Sequence, residues 1–207
     1  SSQPEADLDL TTDARPEQVL AVLEGWAETT WEVGIAFGTI GARVAGRVVE
    51  ITTYRSEAYE RDSRKPAVAY GTSLADDLVR RDFTINAMAI RLPGLALVDL
   101  FGGQEDLDRR LIRTPGRPED SFGDDPLRML RAARFSAQLG FDVSPEVVAA
   151  MADQSSRLSI VSAERMREEF VKLVMSPDPR RGLALMVDTG LADVVMPELP
   201  LLRLEED

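Results

Sequence analysis

The sequence predicts an α+β protein, in which a mixed or antiparallel sheet with helices is followed by an all-helical part. Three observations predict this class. Strand and helix patterns alternate in the first half, whereas the second half has helix patterns alone. A connection rich in proline and glycine, residues 114–124, separates the two halves. We therefore expect two domains, residues 1–118 and 119–207, in a chain of 207 residues that is 44% hydrophobic.

The first elements follow from alternating apolar residues and from helix-starting proline. Leu8 to Thr12 has the pattern of a short strand. Pro16 is a favourable first helical residue, and Gly25 lies near the end of that helix. Residues 32–55 have strand composition, with Gly46 as the expected turn between two strands.

Capping residues predict the next elements. Ser73 and Asp76 form the pattern of a capping box at the start of a helix. Asp82 is expected to cap a further helix over residues 83–90. Residues 95–101 are predicted to form a strand that the following glycines end.

The second half is predicted to be a series of helices that each begin after a capping residue. A cap before proline or before an acidic first turn provides hydrogen-bond partners for the free amides there. The four predicted starts are Asp125-Pro126, Ser144-Pro145, Ser162 and Asp178-Pro179. Gly140 and Gly190 are the expected ends of two of these helices.

Composition excludes several kinds of chemistry. The chain has no cysteine and no histidine, so disulfides, thiolate metal sites and imidazole bases are excluded. A bound metal would need oxygen ligands, which favours Mg²⁺, Mn²⁺ or Ca²⁺. The net charge of −12 argues against nucleic-acid binding over the whole surface, although a local basic cleft is compatible with it. No membrane span and no secretory signal is expected.

Three carboxylates in the first half are candidate metal ligands. Asp7 and Asp9 lie two residues apart, so in a strand they point to the same face about 7 Å apart and could share two divalent ions. A solvated acidic strand end is the alternative explanation. Glu50 lies in a strongly β-branched stretch, where it is either a third acid beside this pair or an exposed strand carboxylate.

The stretch RRDFTINAMAI at residues 80–90 is a candidate site for phosphates and hydroxyls. The arginine forks, including Arg81, match phosphate oxygens, while Asp82 and Asn86 can bind sugar hydroxyls. The alternative is a capped helix with two solvated arginines. That alternative explains Asp82 but leaves Asn86 among apolar neighbours without a reason.

Asp125, Arg128 and Arg131 form a third candidate site. Asp125 offers acceptors and Arg128 offers donors one helical turn later. Cytosine and adenine both present an amino donor beside a ring-nitrogen acceptor, whereas guanine and uracil present an oxygen in place of the amino group. Such a pair could therefore select C and A at about 1–3 kcal/mol for each contact. The alternative is that Asp125 is only a helix cap.

Together these motifs resemble the class II tRNA nucleotidyltransferase and bacterial poly(A) polymerase family. The resemblance covers about residues 7–175, through the motifs DLD, VEITTYR, RRDFTINAMAI, DLFGGQEDLDRRLIRT, DDPLRMLRAARFSAQLGF and SAERMREEF. It implies a polymerase-β-like nucleotidyltransferase head followed by an all-α neck and the start of the body. The family's glycine-rich loop, which precedes the aspartate pair, is expected to be absent from this chain, as are its C-terminal RNA-binding parts.

The resemblance also implies roles for individual residues. The implied metal ligands are Asp7 and Asp9, with Glu50 beside them as a catalytic residue. The implied nucleotide contacts are Arg81, Asp82, Asn86, Asp125, Arg128 and Arg131. The residues expected to support the base-reading pair are Glu164 and Arg165. The implied hinge residues are Asp99, Gly102 and Gly103.

By the same resemblance the protein is expected to be a cytoplasmic, Mg²⁺- or Mn²⁺-dependent enzyme that adds CMP and AMP from CTP and ATP to the 3′ end of tRNA. One alternative is a poly(A) polymerase that adds AMP to RNA 3′ ends, because an Asp/Arg pair suits adenine in both enzymes. Another is a catalytically silent nucleotide- or RNA-binding module. A third is a helical protein whose charged pairs are only caps. The oligomeric state does not follow from the sequence.

Overall fold

The structure is a computed structural model that describes residues 8–32, 38–56 and 69–202. It forms two compact units, residues 1–78 and residues 79–207. The domain boundary expected at residues 118/119 therefore lies inside the second unit. Asp7 lies outside the described residues, so the structure does not place this predicted metal ligand.

The elements are numbered in chain order. The strands are β1 Leu8–Thr12, β2 Thr29–Trp31, β3 Thr39–Val44, β4 Arg47–Thr53, β5 Arg55–Ser56, β6 Ala69–Tyr70, β7 Met88–Arg91, β8 Ala96–Asp99, β9 Leu111–Ile112 and β10 Asp142–Val143. The α-helices are α1 Pro16–Leu23, α2 Leu74–Val79, α3 Gly103–Arg109, α4 Pro118–Asp124, α5 Leu127–Leu139, α6 Pro145–Gln154, α7 Ala163–Val174, α8 Pro179–Asp188 and α9 Ala192–Val195. Short 3₁₀ helices are Thr84–Asn86, Ser155–Ile160 and Leu199–Leu202.

The first unit is built on a four-stranded sheet with the strand order β1-β4-β3-β2. β1 is parallel to β4, whereas β3 is antiparallel to both β4 and β2. The expected mixed sheet is therefore confirmed. Helix α1 packs Val19 and Leu23 against Ile40 and Ala42 on one face of this sheet. Because side chains alternate along a strand, Asp9 and Glu50 lie on the opposite face.

The second unit has a helical core around α5. Its side chains without solvent exposure include Phe83, Ile112, Phe122, Met129, Leu130, Met151, Leu158 and Leu173. Helix α8 approaches α5 closely at Gly182, where an added Cβ would lie 2.7 Å from the carbonyl oxygen of Ala133. Glycine at this position thus permits a close helix contact that a larger residue would disrupt.

Packing explains why residues 79–118 belong to the second unit. Phe83 and Ile112 are fully buried in the same cluster as the residues of α5. β9 also pairs in parallel with β10, and the amide of Ser144 donates to the carbonyl of Ile112 at 3.0 Å. Apolar burial and backbone hydrogen bonds therefore connect this segment to the helices that follow it.

Three of the four predicted capping residues of the second half, Ser144, Ser162 and Asp178, are confirmed, whereas α5 begins at Leu127 with Pro126 and not Asp125 at its cap position. Ser144 accepts a hydrogen bond from the amide of Val147 at 3.4 Å, at the start of α6. Ser162 and Asp178 accept amides in the same way at the starts of α7 and α8. Gly140 ends α5 with φ +68°, a left-handed conformation that favours glycine.

Two expectations about local structure were wrong. Residues 83–90 do not form a helix but a 3₁₀ turn followed by strand β7, which pairs with β8. The Asp82 carboxylate accepts the adjacent Phe83 amide at 2.8 Å instead of an amide deeper in a helix, so it does not act as a helix cap. The connection 114–124 contains helix α4, which begins at a proline.

No helix among the described residues is long and apolar enough to cross a membrane.

Candidate functional site

Two of the predicted catalytic acids are neighbours in the sheet of the first unit. Asp9 of β1 pairs with Glu50 of β4 in the parallel register, so both side chains lie on the same face. Both residues are exposed, on the face opposite α1. We refer to Asp9 and Glu50 as the acidic pair. Glu50 therefore lies beside one of the predicted metal ligands, and its role as a catalytic acid stays a prediction.

The acidic pair has the donor chemistry that suits a divalent metal ion. Carboxylate oxygens are the ligands that Mg²⁺ prefers. Within the described part of the chain, neither carboxylate has an ion pair or a side-chain hydrogen bond, so their oxygens can accept an incoming ion. Groups of three or more potential ligands are not found among the described residues, and the third predicted acid, Asp7, lies outside them. Asp9 and Glu50 could therefore serve as two of the ligands of such an ion.

In the second unit, Asp82 joins several of the predicted nucleotide contacts. One of its oxygens accepts the amide of Phe83 at 2.8 Å and the Nδ2 of Asn86 at 3.1 Å. The other accepts Nε and Nη2 of Arg131 at 2.9 and 2.5 Å. Asp82 is 9% exposed, whereas Asn86 and Arg81 are exposed. The structure thus brings Asp82, Asn86 and Arg131 together and leaves the outer face of Asn86 accessible.

Asp125 lies in the turn between α4 and α5, where two groups hold its carboxylate. Its Oδ1 accepts the amide of Leu127 at 3.2 Å, in the first turn of α5. Its Oδ2 accepts Nη2 of Arg165 at 2.7 Å, which reaches across from α7. Arg165 therefore contacts the residue that it was expected to support, while Glu164 is exposed in the same turn of α7. A carboxylate has about four lone-pair sites, so Asp125 keeps acceptor capacity for a ligand.

The side chain of Arg128 is fixed by hydrogen bonds to α4 and to the backbone of Arg80. Its Nη1 donates to the Oγ and the carbonyl of Ser121 at 2.9 and 3.2 Å, and its Nη2 donates to the carbonyl of Arg80. Burial lowers the pKa of the Arg128 guanidinium, an effect that the nearby carboxylates of Asp125 and Asp124 oppose. A guanidinium has five N–H donors, so some remain available after these contacts. Ser121 was not predicted from the sequence.

Glu169 of α7 is a further residue that sequence reasoning missed. It is 4% exposed and accepts Nε of Arg134 at 2.5 Å, while Nη1 of Arg131 lies 3.8 Å away. Arg134 also stacks its guanidinium on Phe135, 3.8 Å from the ring centre. We refer to Asp82, Arg131, Glu169 and Arg134 as the ion-pair network. Helical spacing could have revealed Glu169, because it occupies an apolar-face position between Met166 and Leu173.

The predicted hinge segment is a tightly packed helix start. The two oxygens of Asp99 accept the amides of Gly103 and Gln104 at 2.8 and 2.9 Å, at the first turn of α3. The Gln104 amide is the main cause that lowers the pKa of Asp99. Gly102 has φ +77°, and a Cβ on Gly103 would lie 2.4 Å from the carbonyl oxygen of Thr84. Both glycines are thus required by local geometry, whereas a hinge motion remains a prediction.

Comparison with known families identifies two matching regions. The family described as "Poly A polymerase head domain" matches residues 2–113. The family described as "Probable RNA and SrmB- binding site of polymerase A" matches residues 140–202. The first match extends across the boundary between the two compact units of the structure.

Curated relatives are CCA-adding enzymes. The chain is 46% identical to the CCA-adding enzyme of Bacillus subtilis strain 168 over 195 residues, which is 94% of this chain and 47% of that protein. It is 43% identical to the CCA-adding enzyme of Lactobacillus helveticus strain DPC 4571, over 91% of this chain and 46% of that protein. The chain therefore spans about half the length of the curated relatives it matches.

Solved structures show the same fold. The CCA-adding enzyme of Bacillus stearothermophilus in complex with CTP superposes with a TM-score of 0.85 at 36% identity, over 98% of this chain and 49% of that one. A tRNA nucleotidyltransferase complexed with a primer tRNA and an incoming ATP analog superposes with a TM-score of 0.72 at 29% identity, over 92% of this chain and 54% of that one. The polymerase-β-like fold with a helical C-terminal part is thus confirmed. The chain belongs to the poly(A) polymerase head domain family, as its motifs predicted.

Proposed function

We propose that the protein adds CMP and AMP, from CTP and ATP, to the 3′ end of tRNA without a template. The observation that carries the proposal is the turn between α4 and α5, where Asp125 and Arg128 are each fixed by internal hydrogen bonds and keep further acceptors and donors. The CCA-adding relatives and the neighbours solved with CTP and with a primer tRNA support the same activity. A cytoplasmic location belongs to this proposal as well.

The base is selected by hydrogen bonds from this turn. Asp125 accepts the amino group that cytosine and adenine share, and Arg128 donates to the ring nitrogen beside it. Guanine and uracil present an oxygen to Asp125, which leaves a carboxylate facing an acceptor. An unpaired group of this kind costs about 1–3 kcal/mol for each contact. Because Arg165 fixes Asp125, the selecting geometry exists before the nucleotide binds.

The segment around Asp82 binds the sugar and phosphates. Asn86 and Arg81 are exposed and provide an amide and a guanidinium fork for hydroxyl and phosphate oxygens. The hydrogen-bonding groups of Asp82 and Arg131 are largely used by their mutual ion pair, so these residues act mainly by positioning Asn86. Glu169 and Arg134 in turn hold Arg131 in this orientation.

The acidic pair and Asp7 would hold the magnesium or manganese ions of the reaction. When bound, such ions supply Lewis-acid stabilisation of the α-phosphate and lower the pKa of the attacking hydroxyl. Asp9 and Glu50 provide carboxylate oxygens on one sheet face, where an RNA 3′ end can approach from solvent. The chain contains no histidine, so no imidazole base is available from it to take the proton of that hydroxyl.

The test is incorporation by the intact protein into a tRNA that lacks its last three nucleotides. With CTP and ATP we expect two CMP and one AMP per tRNA, and no extension with UTP or GTP. Long tracts of AMP with ATP alone would instead assign a poly(A) polymerase, an alternative that the description of the head-domain family favours. Nucleotide binding without any incorporation would indicate the silent binding module.

A further inference from the structure

The acidic pair is part of a longer row of side chains that crosses the sheet of the first unit. Glu50 pairs with Gly41 of β3, and Gly41 pairs with Trp31 of β2. Residues that pair directly across neighbouring strands point to the same face. Asp9, Glu50, Gly41 and Trp31 therefore lie side by side on one face, in the order of the strands.

The absence of a side chain at Gly41 lets the indole of Trp31 cover β3. A Cβ built on Gly41 would lie 2.0 Å from Nε1 and 2.2 Å from Cε2 of Trp31, so the ring occupies that space. Adjacent strands are about 4.8 Å apart. The indole thus ends about one strand spacing from the backbone of Glu50 and forms a wall beside the acidic pair.

Trp31 is not explained by the apolar core of its unit. The buried cluster lies on the other face of the sheet, where Val19 and Leu23 of α1 pack on Ile40, and Trp31 is not part of it. Other side chains on the Trp31 face include Thr39 and Thr52, whose hydroxyls lie 3.0 Å apart, so this face is largely polar. Trp31 is half-buried and is the one aromatic residue on this face of the described strands β1 to β4.

We propose that Trp31 is a stacking platform for the terminal base of the RNA whose 3′-hydroxyl is extended. The inference rests on the proposed function. The incoming base is read by Asp125 and Arg128, so the terminal base of the acceptor needs a partner of its own. Each addition puts a new nucleotide at the terminus and its base is not the same throughout, and aromatic stacking tolerates such change because every base has a π-face. A wall beside the acidic pair is where a nucleoside presenting its 3′-hydroxyl would lie.

The first test is substitution of Trp31 in the intact protein, with a tRNA transcript that lacks its last three nucleotides. Trp31→Leu should raise the KM and the Kd for the tRNA about 5- to 150-fold, since stacking contributes about 1–3 kcal/mol per base. The KM for CTP should change less than twofold. Trp31→Phe should restore most of the affinity, whereas Trp26→Leu, at the other tryptophan and 53% exposed, should have no effect.

Gly41→Ala provides a matched variant that leaves Trp31 in place. The new methyl group displaces the indole, so we expect a loss of tRNA affinity similar to that of Trp31→Leu. In a Trp31→Leu background the same change should add less than twofold. A Gly41→Ala protein that binds the tRNA as tightly as wild type would contradict the proposal.

Fluorescence tests the contact without activity. Among these 207 residues, Trp31 is the remaining tryptophan of a Trp26→Phe variant. In the intact protein, the tRNA transcript should quench the part of the emission that a further Trp31→Phe change removes. The same transcript with an abasic 3′-terminal nucleoside should bind more weakly and leave the emission unchanged. If the protein adds CMP and AMP but neither the emission nor the Trp31→Leu affinity changes, the inference fails while the proposed function stands. If the wild-type protein does not bind the tRNA, both fail.

Discussion

The charged residues of the candidate sites in the two units are arranged in opposite ways. In the first unit, Asp9 and Glu50 are exposed and, within the described chain, neither forms an ion pair. In the second unit, Asp82 and Glu169 are buried, and both pair with Arg131, whose side chain is 32% exposed. The first arrangement is suited to ligands that come from outside, and the second to holding a fixed geometry.

Under the proposed function, this difference corresponds to the two tasks of a template-independent polymerase. Metal ligands must remain available, because each carboxylate that is satisfied internally is lost to the ion. Base-reading groups must instead be fixed in advance, because discrimination depends on hydrogen bonds that a flexible side chain could make with any base. Asp125, held by Arg165 on α7, is fixed in this way. Substitutions in the two units should therefore have different effects, on incorporation activity in the first unit and on stability or base preference in the second.

The largest effect is expected at the acidic pair. Asp9→Asn should reduce Mg²⁺-dependent incorporation about 10³-fold or more, because metal stabilisation of the transition state is worth several kcal/mol. The unfolding midpoint should not change, since Asp9 is exposed. The control is Asp13→Asn, an exposed carboxylate just after β1. If Asp9→Asn retained a tenth or more of wild-type activity, Asp9 would not be a metal ligand.

The second-largest effect is expected on the stability of the second unit, at Glu169. Glu169→Ala should lower the free energy of unfolding by about 3 kcal/mol, because it leaves the buried Arg134 without its carboxylate. Glu168→Ala, at the exposed neighbouring position of α7, should change it by about 0.5 kcal/mol or less. Urea denaturation followed by circular dichroism measures both values. Equal losses in the two variants would mean that the network does not stabilise this unit.

A smaller and pH-dependent effect is expected at the start of α3. The amides of Gln104 and Gly103 lower the pKa of Asp99 from its ordinary value of 3.8. The ionised carboxylate therefore stabilises the fold above about pH 4, and this contribution is lost as the pH falls through the lowered pKa. Asp99→Asn should thus destabilise the protein at neutral pH and less at pH 3. Asp108→Asn, exposed on the same helix, should show no such trend.

The smallest effect is expected at the exposed ion pair that supports Asp125. The side chain of Arg165 is 53% exposed, and pairs of this kind contribute about 0.2–1 kcal/mol. Arg165→Ala should therefore lower kcat/KM for CTP by about two- to fivefold without changing the unfolding midpoint. Arg167→Ala, an exposed arginine on the same helix, is the control. An equal loss in both variants would indicate a general charge effect instead of support for Asp125.

Local signals predicted much of the fold. The caps at Ser144, Ser162 and Asp178 and the helix end at Gly140 depend on interactions within one turn, so the sequence alone indicates them. Strand β7, Met88–Arg91, was missed in the stretch predicted to be a helix because it is stabilised by pairing with β8 and not by its own pattern. Tertiary contacts override local preference in such segments.

The candidate site shows the same division. Asp125 and Arg128 were found because they lie one helical turn apart in sequence. Glu169 and Ser121 were missed because their contacts join separate helices. Glu169 on α7 accepts from Arg134 on α5, and Ser121 on α4 accepts from Arg128 on α5. Asp82 was predicted as a helix cap, but its main partner is Arg131, which is 49 residues away. Long-range partners of this kind become visible in the folded chain.

The most direct test of the central claim is the nucleotide preference of Asp125→Asn in the intact protein. The measurement is kcat/KM for CTP, ATP, UTP and GTP with a tRNA lacking its last three nucleotides, beside Asp120→Asn as an exposed control on α4. We predict that the preference of the variant for CTP and ATP over UTP and GTP falls about tenfold or more, because an amide can donate where the carboxylate only accepts. An unchanged preference among the four nucleotides would contradict base selection by Asp125 and Arg128.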